Sequence, residues 1–314
     1  MYYQSKFPHG IMFHRFKTAK SWNPTRGTLT ARNLTKIINL IGRKRILNAE
    51  EWIEKLDKGE LSNKHVCLTF DDGLKSQIKI ALPILEKYKI KAFWFVHCKT
   101  LPNNFDKNEI FSLLIFKRFR NFTNFVNHFL AYGKIDDKVF NSKKFNHYYK
   151  EEKKLYKFHS LTELKYKFLR DIFYSRKKFE DTMENFFKNY RLNVNKFYKN
   201  TWLDKKDLIK LDKKGHVVGL HSFSHPYRMK LLSEKEQRNE YNKNYKYLKS
   251  ILNKKPIAMS HPLDSYNHLS LKILKKLNIK CGFRSHTKFS KESKINPSYL
   301  EFAREDPSNI LKDK

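Results

Sequence analysis

The order of the apolar runs constrains this chain more than any other feature. Gly10–Phe13, His65–Phe70 (HVCLTF) and Lys91–Val96 (KAFWFV) are short and rich in β-branched and aromatic residues, so they read as buried strands. Helical patterns lie between them, over Thr30–Ile41, which Gly42 would end, and over Leu74–Tyr88. The rhythm returns after residue 200. Leu203–Asp212 reads as helix, 216–222 (HVVGLHS) as strand and Ser233–Leu252 as helix. Pro256–Ser260 and Ile279–Phe283 then read as strands on either side of a helix over Leu269–Leu277. Such alternation predicts an α/β fold with a parallel sheet or barrel, whose site gathers at the carboxyl ends of the strands.

Residues 101–199 break the rhythm. FSLLIFKRFRNFTNFVNHFLAYG and KKFEDTMENFFKNYRL have helical periodicity and many aromatics. This segment reads as an α-helical insertion between the two parts of the main domain, 1–100 and 200–314. Its aromatics are expected to form its own core, and its role to be shaping access to the site. With 314 residues, 40% hydrophobic, and only 9 Gly and 9 Pro, the chain can bury a large core without Gly-rich linkers.

The formal charge of +35 invites a nucleic-acid partner. Its distribution argues otherwise: residues 101–200 carry 22 basic and 11 acidic side chains, in proportion to their length. No DNA- or RNA-binding motif accompanies the charge, so no specific nucleic acid is expected. Peripheral attraction to anionic surfaces is compatible with it. Cys67, Cys98 and Cys281 have no metal-binding or redox spacing and read as reduced thiols. The opening MYYQSKFPHGIMFHRF lacks the basic-then-apolar order of a signal peptide, and no apolar run reaches ~18–20 residues. The expectation is a cytoplasmic protein without a membrane span.

Two stretches carry chemistry. TFDDG, residues 69–73, sets two carboxylates side by side at a strand end, before a glycine that allows a tight turn. Adjacent acids repel unless a cation or a shared proton compensates. The plainer alternative is a polar turn in which Asp72 caps the following helix. HSFSHP, residues 221–226, places His221 and His225 four apart after the apolar VVGL, where one helical turn would let them share an ion. Pro226 argues for an irregular turn there, and Ser222 stands where a zinc protease would need Glu. The alternative is two surface histidines by accident, in a chain with 13. Taken together, two imidazoles and one carboxylate form a common divalent-metal set, and the second carboxylate is then free to take a proton from water.

At these residues the chain resembles the polysaccharide deacetylase (NodB-homology) family of carbohydrate esterases. The matching stretches are TFDDG at 69–73, HSFSHP at 221–226 and, more loosely, SHPLDSYN at 260–267. The resemblance implies a distorted (β/α)7 barrel that removes acetyl or related acyl groups from N-acylated amino sugars. It implies Asp71 as general base and Asp72, His221 and His225 as ligands of a divalent metal ion, zinc in the first instance. The backbone N–H of Leu263 would stabilise the oxyanion.

Two departures from the family pattern leave roles to fill. Ser260 stands where the third motif often has arginine, so Arg284 or Arg304 would have to orient the base. The family's late histidine is missing too, for none follows residue 286. Ile11-Met12-Phe13-His14 has the form of that strand end, as in circularly permuted members, and makes His14 the candidate general acid. His261 and His286 compete for the role. The resulting expectation is a metal-dependent deacetylase acting on a carbohydrate or a nucleotide- or lipid-linked sugar. The alternatives are a non-sugar amide hydrolase on the same scaffold and a catalytically silent domain that binds glycans or anionic polymers.

Overall fold

Seven parallel strands curl into a barrel in this computed structural model, which describes residues 3, 6–18, 27–98, 100–101, 104–155, 159–194, 201–285 and 296–312. The strands are β1 (His9–Phe13), β2 (Val66–Phe70), β3 (Phe93–Val96), β4 (Val217–Leu220), β5 (Ala258–Ser260), β6 (Cys281–Phe283) and β7 (Arg304–Glu305). Their order across the sheet is β6-β5-β4-β3-β2-β1-β7. The first strand of the chain thus lies between β2 and the last. The residues leading into β7 return to β6 and bring the ends of the sheet together. Gly282 N–H donates to Tyr299 O (2.8 Å), Phe302 N–H to Gly282 O (2.9 Å) and Arg284 N–H to Phe302 O (3.0 Å). The closure requires glycine at 282, because a Cβ there would lie 2.4 Å from Leu300 O. This is the distorted (β/α)7 barrel.

Alternation along each strand separates two cores. Outward residues such as Ile11, Phe13, Leu68, Phe70, Trp94 and Leu220 pack with the buried faces of the surrounding helices. Cys67, Phe93, Phe95, Ala258, Phe283 and Phe302 form a separate cluster with Ala49, Trp52 and Ile53. Those last three belong to α2 (Ala49–Asp57), which follows α1 (Ala31–Ile41). Six of the seven strands coincide with the apolar runs of the sequence. The seventh, β7, is two polar residues long and has no hydrophobic pattern to mark it.

The helix over Leu74–Tyr88 is irregular. Gln77–Ala81 is π-helical and runs into α3 (Leu82–Lys87). Pro83 supplies a reason: it has no N–H, and in a regular helix its ring would meet the carbonyl of Lys79, so the widened turn relieves the clash. Further helices of the barrel unit are α9 (Lys205–Lys213), α10 (Glu234–Leu252), α11 (His268–Lys276) and α12 (Pro307–Lys312).

Contacts divide the chain into two compact units, Met1–Asp106 with Asn200–Lys314, and Lys107–Lys199. The second unit holds α4 (Lys107–Arg118), α5 (Phe122–Tyr132), α6 (Lys143–Leu155), α7 (Leu161–Phe168) and α8 (Arg176–Asn189). Its centre is a cluster of rings in which Phe125 meets Phe119, Phe129, Tyr166, Phe186 and Phe187. Among the described residues, no helix is long and apolar enough to cross a membrane.

Candidate active site

The period of two that points Cys67 and Thr69 into the barrel carries on to Asp71, just beyond the end of β2. The same count leads from Val217 and Gly219 to His221, from Phe93 and Phe95 to His97, from Ala258 to Ser260 and from Phe302 to Arg304. On β1 it leads from Gly10, where a Cβ would meet Thr69, Phe283 and Arg304, to His14. Above the aromatic interior the barrel therefore carries one polar layer at the carboxyl ends of its strands.

Asp71 and Arg304 form the buried centre of that layer, at 2% and 1% exposure. The guanidinium grips the carboxylate with both arms, NH1 to Oδ1 and NH2 to Oδ2, each 2.7 Å. Its other donors reach Arg284 O (2.6 Å), Thr69 Oγ1 (3.2 Å) and Ser260 Oγ (2.8 Å). All five guanidinium hydrogens are thereby used, in the fork geometry that only arginine offers. The Ser260 hydroxyl donates onward to Asp71 Oδ2 (3.2 Å). Burial pushes the Asp71 carboxyl up, but the Arg304 guanidinium and nearby histidines outweigh it and hold it below the usual carboxylate range. Of the two candidate arginines, Arg304 makes the contact with Asp71, and Arg284 offers Arg304 its backbone carbonyl.

Asp72 is no helix cap. Its φ of +74° and that of Gly73, +70°, turn the chain sharply after β2. Residues from beyond the helical unit brace this turn: Leu203 N–H donates to Gly73 O and Lys75 N–H to Thr201 O, both at 2.8 Å. The turn carries the Asp72 carboxylate to the histidines, with Oδ1 3.3 Å from His221 Nε2 and 3.6 Å from His225 Nε2. One ligand atom from each of Asp72, His221 and His225 lies within 4.8 Å of the others. His221 Nδ1–H donates to Ser260 O (2.9 Å), which leaves the Nε2 lone pair for an ion. Asp106, buried beside the site, has Oδ2 3.7 Å from His225 Nδ1. One carboxylate and two imidazoles at this spacing fit a divalent ion such as zinc, with room left in its shell for water and substrate.

The histidines do not share a helical turn. Ser222 and His225 both have left-handed backbone, φ +63° and +51°, and His225 N–H donates to Ser222 Oγ (3.1 Å). Leu263 and Asp264 after β5 are left-handed as well, φ +51° and +55°. Five non-glycine residues in three strand-end loops thus hold a conformation that costs ~1–3 kcal/mol each, a pattern typical of functional sites.

His14 lies a third exposed with Nε2 3.8 Å from Asp71 Oδ2, so it faces the site from β1. His261 is fully buried, stacked 3.9 Å from the Tyr266 ring, with Nε2 bonded to Leu300 O (2.9 Å). Burial pushes its pKa down to about 4, so it is a neutral structural group. His286 lies outside the described residues. The sequence marks Ser260 only as a departure from the family's arginine, and no motif marks His97 or Asp106, so Ser260, His97 and Asp106 are additions to the site. Counting by two from the inward residues would have found the first two, whereas Asp106 sits in a connection with no periodic signal.

Against known proteins, the sequence profile of the family described as polysaccharide deacetylase matches residues 58–111 and 171–282. The chain belongs to the polysaccharide deacetylase family. No curated protein matches it. Among solved structures it is similar to the Streptococcus pyogenes deacetylase PplD in complex with acetate, at 18% identity and a TM-score of 0.53, covering 99% of this chain and 98% of that one. It is similar to IcaB from Ammonifex degensii at 14% identity and a TM-score of 0.56, covering 99% and 97%. A de-N-acetylase from Aggregatibacter actinomycetemcomitans matches at 12% identity and 0.53, covering 98% of each chain. At these identities the likeness concerns the fold.

Proposed function

We propose that this protein is a metal-dependent deacetylase that hydrolyses the amide of an N-acetylated amino sugar, within a polysaccharide or a precursor of one. Membership of the family supports deacetylation of sugar polymers. The observation that carries the finer reading is the juxtaposition of Asp71, clamped by Arg304, with the Asp72–His221–His225 triad in one polar layer. Asp72, His221 and His225 would hold a divalent ion, zinc by its donor set, which would supply Lewis-acid polarisation of the carbonyl and of water.

The chain's own residues divide the remaining work. Asp71, ionised at neutral pH, accepts a proton from the attacking water as the oxygen bonds to the acyl carbon. Arg304 fixes both carboxylate oxygens, so the base keeps one orientation. His14 gives a proton to the amine as the C–N bond breaks, because it faces the same point from the neighbouring strand. The N–H of Leu263 is the proposed donor to the carbonyl oxygen. The test is acetate release by the purified chain from N-acetylglucosamine oligomers and from nucleotide-linked acetylated sugars, with zinc supplied or chelated. Zinc-dependent release supports the proposal. Tight zinc binding without release from any of these sugars would move the reading to a non-sugar amide, and absence of zinc binding would leave a silent binding domain.

A further inference from the structure

Two fully buried carboxamides, Gln77 and Asn244, each join the ends of neighbouring strands beneath the site. Gln77 lies in the first turn of the π-helical stretch after β2. Its Nε2 donates to the backbone carbonyls of His14 (2.9 Å) and Asp71 (2.6 Å), and its Oε1 accepts from Leu74 N–H (3.2 Å). Two carbonyls on one side and an N–H on the other leave a single sensible orientation for the amide. Its contacts are with the carriers of the proposed acid and base, on β1 and β2.

Asn244 projects from α10 to the other half. Its Oδ1 accepts from His221 N–H (2.9 Å), and its Nδ2 donates to Val96 O (3.0 Å) at the end of β3. One turn earlier on α10, Glu240 accepts from Ser224 N–H (2.8 Å) and Ser224 Oγ–H (2.7 Å). The helix therefore holds the loop between the two histidines at both ends, whereas Gln77 touches neither of them. Residues at i and i+4 share one helix face, which is how one helix can make both contacts.

We propose that Gln77 and Asn244 are positioning residues that set the two halves of the site separately: Gln77 fixes the spacing of His14 and Asp71, and Asn244 fixes His221 for the ion. This rests on the proposed roles of those residues. Removing the Gln77 amide frees two strand ends to part by a fraction of an ångström, and small misplacement of reacting groups is costly. Removing the Asn244 acceptor leaves the His221 N–H unpaired and lets the ligand drift.

The experiment compares Gln77→Met with Asn244→Leu in the full chain. Zinc affinity is read by competition with a chelator, and turnover by acetate release from N-acetylglucosamine oligomers. Gln77→Met is expected to lower kcat by up to ~10²-fold with little change in KM or in zinc affinity. Asn244→Leu is expected to weaken zinc binding ~10–100-fold, with activity recovered as zinc is raised. Equal effects of both variants on zinc affinity, or losses that merely follow melting temperature, would overturn the proposal. If Gln77→Met folds poorly, Gln77→Asn keeps the amide but is one methylene too short to span both carbonyls, and it carries the same expectation. For Asn244, Asn244→Ser serves in the same way. If the unaltered protein releases no acetate, the proposed function fails while the clamps are still judged. Zinc affinity unchanged in the Asn244 variants, or a Gln77→Met crystal structure that keeps His14 Nε2 3.8 Å from Asp71 Oδ2, would overturn the inference.

Discussion

The barrel unit and the helical unit both rest on touching aromatic rings, and both contain left-handed non-glycine residues, but for different reasons. In the helical unit, Lys134 and Arg191 follow the ends of α5 and α8, where a left-handed residue stops a helix in the ordinary way. Lys89, Asn253 and Asn278 do the same after helices of the barrel unit. Asp72, Ser222, His225, Leu263 and Asp264 instead follow strands, and two of them, Asp72 and His225, bring a carboxylate and an imidazole within 3.6 Å of each other. Rings also differ in what they adjoin. Phe125 of the helical unit is in contact with other rings on several sides, whereas Phe95 of the barrel lies two residues before His97 of the polar layer. Left-handed backbone alone therefore does not single out a candidate site; at Asp72 and His225 it coincides with paired ligand atoms.

The largest effects should come from the polar layer, and they should leave the fold intact. Asp71→Asn and His14→Ala should each reduce acetate release by ~10²–10⁴-fold while zinc content, measured by atomic absorption, is retained. Asp72→Ala should lose the zinc itself. Zinc lost with Asp71→Asn, or retained with Asp72→Ala, would exchange the roles of the two neighbours.

Next come effects on stability that set the units against each other. Arg304→Met strands the buried Asp71 carboxylate without its partner, and breaking a buried ion pair costs ~3–5 kcal/mol. Phe125→Ala opens a cavity in the ring cluster at a similar ~3–5 kcal/mol. Denaturant unfolding should detect both. Only Arg304→Met should also depress kcat beyond the fraction unfolded, since Arg304 grips Asp71, the proposed base. A Phe125→Ala enzyme with weakened zinc binding would mean that the helical core is not merely structural.

Much of this site was legible because strand periodicity runs past the apolar residues into the polar ones. Asp71, His221 and His14 lie at strand ends that apolar runs announce, and six of seven strands were found that way. β7 is too short and polar to announce itself, so Arg304 could be offered only as one of two arginines, and its partner Asp71 lies 233 residues away in sequence. Helix α2 does carry a local signal, the Asn48–Glu51 capping box ahead of Trp52 and Ile53. Gln77 and Asn244 had none, because a polar residue in a helical pattern looks like a solvated one until the strand ends beside it are known.

The smallest predicted effect concerns pH and sharpens the contrast between buried charge and buried neutral groups. Burial pushes His216 down to about 4, as it does His9 and His261. His216 Nδ1 accepts from Ala92 N–H (2.9 Å), so a proton on that nitrogen would cost the bond as well as the desolvation. The folded pKa lies below the unfolded value of 6.5, so between pH 6.5 and about 4 the unfolded chain binds more protons. The stability from keeping His216 neutral is thus fully present above pH 6.5 and is lost as pH falls toward 4. His221, which burial pushes down but Asp71 and Asp72 together raise above its ordinary value, contributes with the opposite sign, but it is common to both proteins in a comparison of the parent with His216→Gln. The glutamine keeps a carbonyl for Ala92 N–H and cannot titrate. It should therefore flatten the fall in unfolding free energy between pH 6.5 and 5 by at most ~1.4 kcal/mol per pH unit, measured by urea unfolding. An unchanged slope would mean that His216 takes up a proton as readily in the folded protein as in the unfolded chain, and that the layer between strands and helices admits a charge beside Trp94.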